Sequence, residues 1–286
     1  MDGSAVVNEV NTESINLERQ DLKCTSQLIV LLGSKEGIKG VSKRLRQYND
    51  FVRVGKGLFI AGSNTAPYTD ILQSIPTLSF IRTREIPRRK DRLDDPHAYR
   101  AYSIVTYNFN SPTAKQKKRV ERLIRRSAAI RLRPGVLLFP VLRSKERRKV
   151  LDQEKEHSLL DSKEFNHQLK LMGASSMRWS RLKLVNPLDA AQIKEAIERT
   201  ITRDLFSIES RLQNLRELSK NPQVPTDSLR TKSAAALRRY RILKFKWTLA
   251  KTLWYYDAEK ALKRVYNLGR STKYLIDERS WALDSR

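Results

Sequence analysis

The side chains with the most chemistry to offer in this chain are cations, and they come in runs at helical and strand spacing. The stretch SPTAKQKKRVERLIRRSAA spaces Val120, Leu123, Ile124 and Ser127 at helical intervals. It leaves Lys115, Lys117, Lys118, Arg119, Arg122, Arg125 and Arg126 for the polar side. Arg131 and Arg133 alternate with Ile130 and Leu132 in IRLRPGVLLFP, and Arg147 and Arg148 follow. Farther on, RRYRILKFKW sets Arg238, Arg239, Arg241, Lys244 and Lys246 among aromatic residues. Cations in register hold phosphate oxygens and carry no base information, so the chemistry expected of this set is phosphate contact. Tyr240 and Trp247 have two readings, contact with bases or sugars and burial in a core, and burial is favoured.

The overall balance agrees. Lys and Arg number 57 against 31 Asp and Glu in 286 residues, a net charge of +26. Such an excess speaks of partners, with nucleic acid first and an anionic membrane surface second. The charge is uneven, since residues 1–21 are acidic, polar and aperiodic and read as a disordered tail. Cys24 is the single cysteine, which excludes an intramolecular disulfide and a cysteine zinc cage and suggests a reducing compartment. The amino terminus lacks signal-peptide order, and no apolar run approaches the ~20 residues of a membrane span. A soluble, cytoplasmic protein is expected, nucleoid-associated if it binds DNA.

Catalytic candidates are few. Asp91, Asp94 and Asp95 cluster beside His97 in PRRKDRLDDPH. They read either as a divalent-metal site or as a solvated connector between domains, and the connector is favoured. His157 and His167 are scattered in a polar, helix-forming stretch, and there is no phosphate loop, nucleophile elbow or zinc helix. No enzyme activity, cofactor or metal is expected.

The elements that must position the cations are written twice. VRVGKGLFIAG at Val52 to Gly62 matches IRLRPGVLLFP at Ile130 to Pro140 in residue type at almost every position. Upstream, VSKRLRQYND answers VERLIRRSAA and LIVLLG answers SIVTYNF; downstream, TLSFIRTREIP answers SMRWSRLKLVNP. Each copy reads strand, basic helix, glycine-centred strand pair, helix, strand. Ile130 and Leu132 oppose Arg131 and Arg133, and Val52 and Val54 oppose Arg53, the period of a half-buried antiparallel strand. Gly57 and Gly135 sit where the chain must reverse. Ser111 and Pro112 make a good helix start.

The expected fold is α+β: two tandem ferredoxin-like βαββαβ domains followed by an antiparallel helical hairpin. The boundaries are a tail over 1–25, domain 1 over 26–88, a charged linker over 89–100, and domain 2 with a helical insertion over 101–187. A basic hairpin over 188–269 and a C-terminal tail over 270–286 complete the chain. In the hairpin, Asp189 caps a first helix whose buried stripe is Ile193, Ile197, Ile201, Leu205, Ile208, Leu212 and Leu215. Pro222 and Pro225 break it, and a second helix runs from about Ser228 to Leu268 with Gly269 as its stop.

The stretch RVERLIRRSAAIRLRPGVLLFP, Arg119 to Pro140, resembles the signature of the ChrB amino-terminal and PaaX-like regulators, and more widely the small CRISPR-associated ferredoxin-like nucleases. The resemblance implies a nucleic-acid-associated ferredoxin-like domain and, for the regulators, transcriptional control. In the nuclease relatives a carboxylate ends the first strand; here Asn108 and Asn110 stand there in TYNFN, and Gly33 and Ser34 in the first copy. A second ferredoxin-like copy also replaces the winged helix that usually precedes the domain in PaaX-like regulators.

The expected function is non-catalytic nucleic-acid binding, DNA favoured over RNA, as a regulator or architectural factor. The contact set is Lys117, Lys118, Arg122, Arg125, Arg126, Arg131, Arg133, Arg147, Arg148, Arg238, Arg239, Arg241, Lys244 and Lys246. Three rivals stay open. RNA binding would use an open sheet as its platform, though neither copy has an aromatic-rich RNP pattern. A ribonucleoprotein scaffold, homodimer or larger nucleoprotein complex would dock through Trp254, Tyr255 and Tyr256. A metal nuclease would use the Asp91 to Asp95 cluster.

Overall fold

The computed structural model describes residues 26–62, 65–84, 100–142, 159–254 and 258–284. The chain begins with β1 (Gln27–Leu31), α1 (Lys35–Leu45), β2 (Phe51–Gly55), β3 (Leu58–Ala61), the short α2 (Thr69–Gln73) and β4 (Thr77–Arg82). It continues with β5 (Tyr102–Asn108), α3 (Ala114–Arg125), β6 (Ile130–Arg133), β7 (Val136–Pro140), α4 (Ser162–Leu171) and β8 (Ser175–Leu184). Three long helices follow, α5 (Ala190–Ser219), α6 (Thr226–Trp254) and α7 (Glu259–Asp284).

The eight strands form one sheet in the order β2-β3-β1-β4-β8-β5-β7-β6. All its pairs are antiparallel. Two sheets are expected from the repeat; the structure fuses them. Phe80 in β4 lies opposite Leu184 in β8 and Arg82 opposite Leu182. The junction extends through Val185 N–H to the Ser79 carbonyl at 2.9 Å and Thr83 N–H to the Arg181 carbonyl at 2.7 Å. Each of these strands would be an exposed edge in a free-standing half, and joining them satisfies two rows of backbone groups.

The internal repeat is visible atom by atom. Both hairpins carry a bulge one step before the turn, between Arg53 and Gly55 and between Arg131 and Arg133. Both turn on a glycine with positive φ, 61° at Gly57 and 78° at Gly135. Each turn glycine then accepts from the neighbouring strand, Leu31 N–H to Gly57 O at 2.9 Å and Tyr107 N–H to Gly135 O at 3.0 Å. The bulge also changes one expectation: Val54 is buried, but Val52 on the outer strand β2 is 43% exposed and does not share its environment.

Alternation in β6 is as the sequence predicts, with Ile130 and Leu132 buried and Arg131 and Arg133 half-buried. Two strands inside the halves are different: every residue of β1 and β7 is buried. Ile29 and Leu31 join a small core with Val41, Leu45, Phe51 and Ile71 beneath α1 and α2. Leu28 and Val30 belong to the main core, which runs on through Ile104 and Leu138 to Ile193, Ile197 and Leu243.

Helix α3 starts at Thr113, whose hydroxyl accepts from Gln116 N–H at 3.2 Å, in a capping box; Ser111 lies outside it at φ 54°. The stretch expected as an insertion supplies α4, capped by Asp161, in the place α2 holds in the first copy. The α5 stripe is buried as predicted, but Asp189 makes no side-chain cap; Asn186 accepts from Leu188 N–H at 3.1 Å one turn earlier.

From α5 onward the described residues hold three long helices where the sequence predicts two. The expected helix from Ser228 to Leu268 is divided into α6 and α7, and residues 270–284 are helical. Gly269 is no stop: it sits buried inside α7, and a Cβ there would lie 2.9 Å from Leu237 Cδ2. Its smallness lets α7 approach α6. Arg279 of α7 ties down the proline-rich turn, donating to the carbonyls of Ser219, Asn221, Pro222 and Val224 at 2.7–3.0 Å. Prolines leave such carbonyls without helical donors, and one guanidinium supplies them.

Candidate nucleic-acid interface

Helix α3 buries Val120 and Ile124 and turns Lys117, Lys118, Arg122 and Arg126 to solvent, with Arg125 half-buried. Arg122 and Arg125 occupy its last turn, where the helix dipole favours cations. Helices α5 and α6 pack alongside and bring two more arginines to the same place. Burial lowers the proton affinity of the Arg239 guanidinium, and the charges of Arg211, Arg125 and Arg122 lower it further. Arg125 and Arg239 line one small hollow with Ser207, Asp204 and Lys246. None of the four arginines makes an ion pair among the described residues. Four like charges drawn from three helices repel one another unless an anion sits among them.

Three members of this cluster, Arg122, Arg125 and Arg239, belong to the predicted contact set. Arg211 does not: it lies in α5, whose charge is mixed, and only the packing of α5 on α6 reveals it.

Other predicted residues are placed differently. Lys246 is buried, donates to the Ile124 carbonyl at 2.8 Å and lies 3.9 Å from Asp204. Burial lowers its pKa, with Asp204 acting in the opposite sense. It caps the C-terminal end of α3 from inside, a buried position where the sequence reading expects a surface cation. Arg131 is paired with Glu121 at 2.8 Å. Arg238 and Arg241 line a separate hollow with Arg230, Lys273 and Asp277, so the α6 cations divide between two faces. Lys244 is exposed. Tyr240 is buried as favoured, its hydroxyl donating to the Leu262 carbonyl at 3.2 Å, and Trp247 packs against the main core. Arg147, Arg148, Tyr255, Tyr256, His157, Asp91, Asp94, Asp95 and His97 lie outside the described residues, as does the side chain of Trp254.

A second feature joins the two copies. The tips of the β2–β3 and β6–β7 hairpins meet, and an Arg133 terminal nitrogen comes within 3.2 Å of where a Cβ on Gly57 would stand. Between them opens a cleft of about 820 Å³. Arg53, Lys56, Lys117 and Arg133 bring positive charge to it, Glu121 a negative one, and Tyr107 and Asn108 at the end of β5, with Phe109 just past it, form its wall. Burial lowers the Arg133 pKa, and its Nε is buried without a hydrogen-bond partner. Burial raises the Tyr107 pKa, with nearby Arg131 opposing the shift.

Among the described residues no three His, Cys, Asp or Glu side chains gather as a metal site, and no helix is long and apolar enough to cross a membrane. Comparison of the chain with protein-family models, with curated proteins and with solved structures gives no match.

Proposed function

We propose that the protein is a non-catalytic nucleic-acid-binding protein, directed to DNA, that grips the phosphate backbone and acts as a regulator or architectural factor. The observation that carries this reading is the convergence of Arg122, Arg125, Arg211 and Arg239 from three helices with no ion-pair partner among the described residues. Phosphate oxygens bridge such a cluster well, because guanidinium groups fork onto them in a fixed geometry. We read each half as a ferredoxin-like unit, supported by the repeated order β4-β1-β3-β2 and β8-β5-β7-β6 and by the placement of α1 to α4. That reading agrees with the resemblance to ChrB and PaaX-like regulators.

DNA is preferred to RNA on one ground. The RNA alternative would stack bases on aromatic residues of an open sheet, and neither copy carries the aromatic-rich RNP pattern that supplies them. The test is fluorescence anisotropy with duplex DNA, single-stranded DNA and structured RNA of matched length, in EDTA, across a salt series. Tight binding to duplex DNA that weakens steeply with salt is the expected result. Weak binding to all three at physiological salt would remove the proposal.

A further inference from the structure

We propose that the cleft between the two hairpin tips is a nucleotide site, distinct from the arginine cluster, which takes a phosphate on Arg133 and Lys56 and the attached ring against Tyr107 and Phe109. It deepens the nucleic-acid reading and rests on it for the case in which the nucleotide is part of a chain.

Three observations converge on this chemistry. The first is the unpaired guanidinium: Arg133 is half-buried, its Nε makes no hydrogen bond, and burial works against its charge. A buried cationic donor without a partner is costly in the free protein and is relieved by an anion that accepts from it. The second is composition: Arg53, Lys56 and Lys117 add three exposed cations around the same opening against the one acid Glu121, which already accepts from Arg131 at 2.8 Å. The third is the wall. Tyr107 and Phe109 lie edge to face with centroids 6.3 Å apart at the end of β5, with Met177 beside them, an apolar surface suited to a flat ring. A volume of about 820 Å³ accommodates one nucleotide with room to spare.

The site exists only because the copies differ. At the position of Arg133 the first copy has Gly55, and at the position of Tyr107 it has Leu31, as the paired backbone bonds to Gly135 and Gly57 establish. The second copy supplies the half-buried guanidinium and the ring, and the first copy supplies a slender hairpin tip with Lys56. Gly57 keeps that tip free of a side chain where Arg133 passes.

Lys117 and Arg125 are eight residues apart on α3, about 12 Å along its axis, so cleft and cluster lie along one stripe. Two sources would therefore present the same ligand chemistry: a nucleotide of a strand that also crosses the arginine cluster, or a free nucleotide acting alone.

The experiment measures binding of fluorescently labelled AMP and of a labelled single-stranded DNA dodecamer to the full chain. It compares the wild type with Lys56→Ala, with Arg133→Ala, and with the cluster variant Arg122→Ala/Arg239→Ala, after thermal melting has shown each to be folded. Lys56 is exposed, so its variant keeps the comparison valid if Arg133→Ala fails to fold. The expected result is a loss of about tenfold for Arg133→Ala and about threefold for Lys56→Ala, against at most a twofold change in AMP binding for the cluster variant. Loss confined to the dodecamer identifies a chain nucleotide, and loss confined to AMP a free one; either supports the site. If both cleft variants bind both probes as the wild type does, the cleft is no nucleotide site, while a dodecamer weakened by the cluster variant alone leaves the nucleic-acid reading standing. If the wild type binds neither probe, the site falls, and duplex DNA binding then decides the broader reading separately.

Discussion

The two halves of the sheet use one backbone for different ends. They share a strand order, a bulge before the hairpin turn, a turn glycine and a backbone bond to that glycine. Yet α1 packs over a small separate core with its cations Lys39, Lys43 and Arg44 simply exposed, while α3 lies against α5 and α6 and faces their arginines. The difference lies in convergence: α3 of the second copy meets arginines carried by α5 and α6, whereas α1 shares its small core with α2, which carries no cation.

The largest expected effect tests that contrast. Charge reversal at Arg122→Glu/Arg239→Glu lowers affinity for duplex DNA by about 100-fold at low salt, and Lys43→Glu/Arg44→Glu on the first copy lowers it by less than about threefold. Equal losses in anisotropy titrations would erase the distinction between the halves.

Next come two lysines on one helix, one buried and one exposed. Lys246→Met removes the donor to the Ile124 carbonyl and is expected to cost about 1–3 kcal/mol in denaturant unfolding, leaving DNA affinity within about twofold. Lys244→Ala is expected to do the reverse, weakening binding modestly at unchanged stability. Lys246 also sets a pH dependence. Its folded pKa is lowered by burial, so between the folded value and the ordinary lysine value the unfolded chain binds more protons. Stability contributed here rises with pH through that window, and Lys246→Met abolishes the rise, as unfolding titrations between neutral and alkaline pH will show.

The turn glycines come third, where the halves are expected to behave alike. Gly57→Ala and Gly135→Ala each force a side chain into positive φ, against Ile38 Cγ2 at 2.7 Å or the Tyr107 carbonyl at 3.0 Å. Each is expected to cost about 1–2 kcal/mol by thermal or chemical unfolding. A tolerated alanine at one of them would mean that the hairpins are not equivalent.

Local patterns made much of this legible beforehand. The repeat, the alternation of β6 and the seven-residue stripe of α5 depend on near neighbours in the chain, and the structure carries all three. What stayed hidden depends on contacts distant in sequence. Nothing local to Phe80 or Leu184 says that their strands pair, and nothing local to Gly269 distinguishes a helix stop from a crossing point under Leu237. Lys246 looks like its neighbour Lys244 in composition, and only the packing of α6 on α3 separates them. For the same reason Arg211 and the hairpin cleft were not legible: Arg211 lies 28 residues from Arg239 and 86 from Arg125, and Gly57 lies 76 residues from Arg133.

The most direct measurement is the salt dependence of duplex DNA affinity for the wild type and for Arg122→Ala/Arg239→Ala. If the arginine cluster grips phosphates, the slope of log Kd against log salt falls by about two on losing two of its members, with melting temperature unchanged. An unchanged slope would show that the phosphates lie elsewhere and that the convergence of these arginines does not hold the nucleic acid.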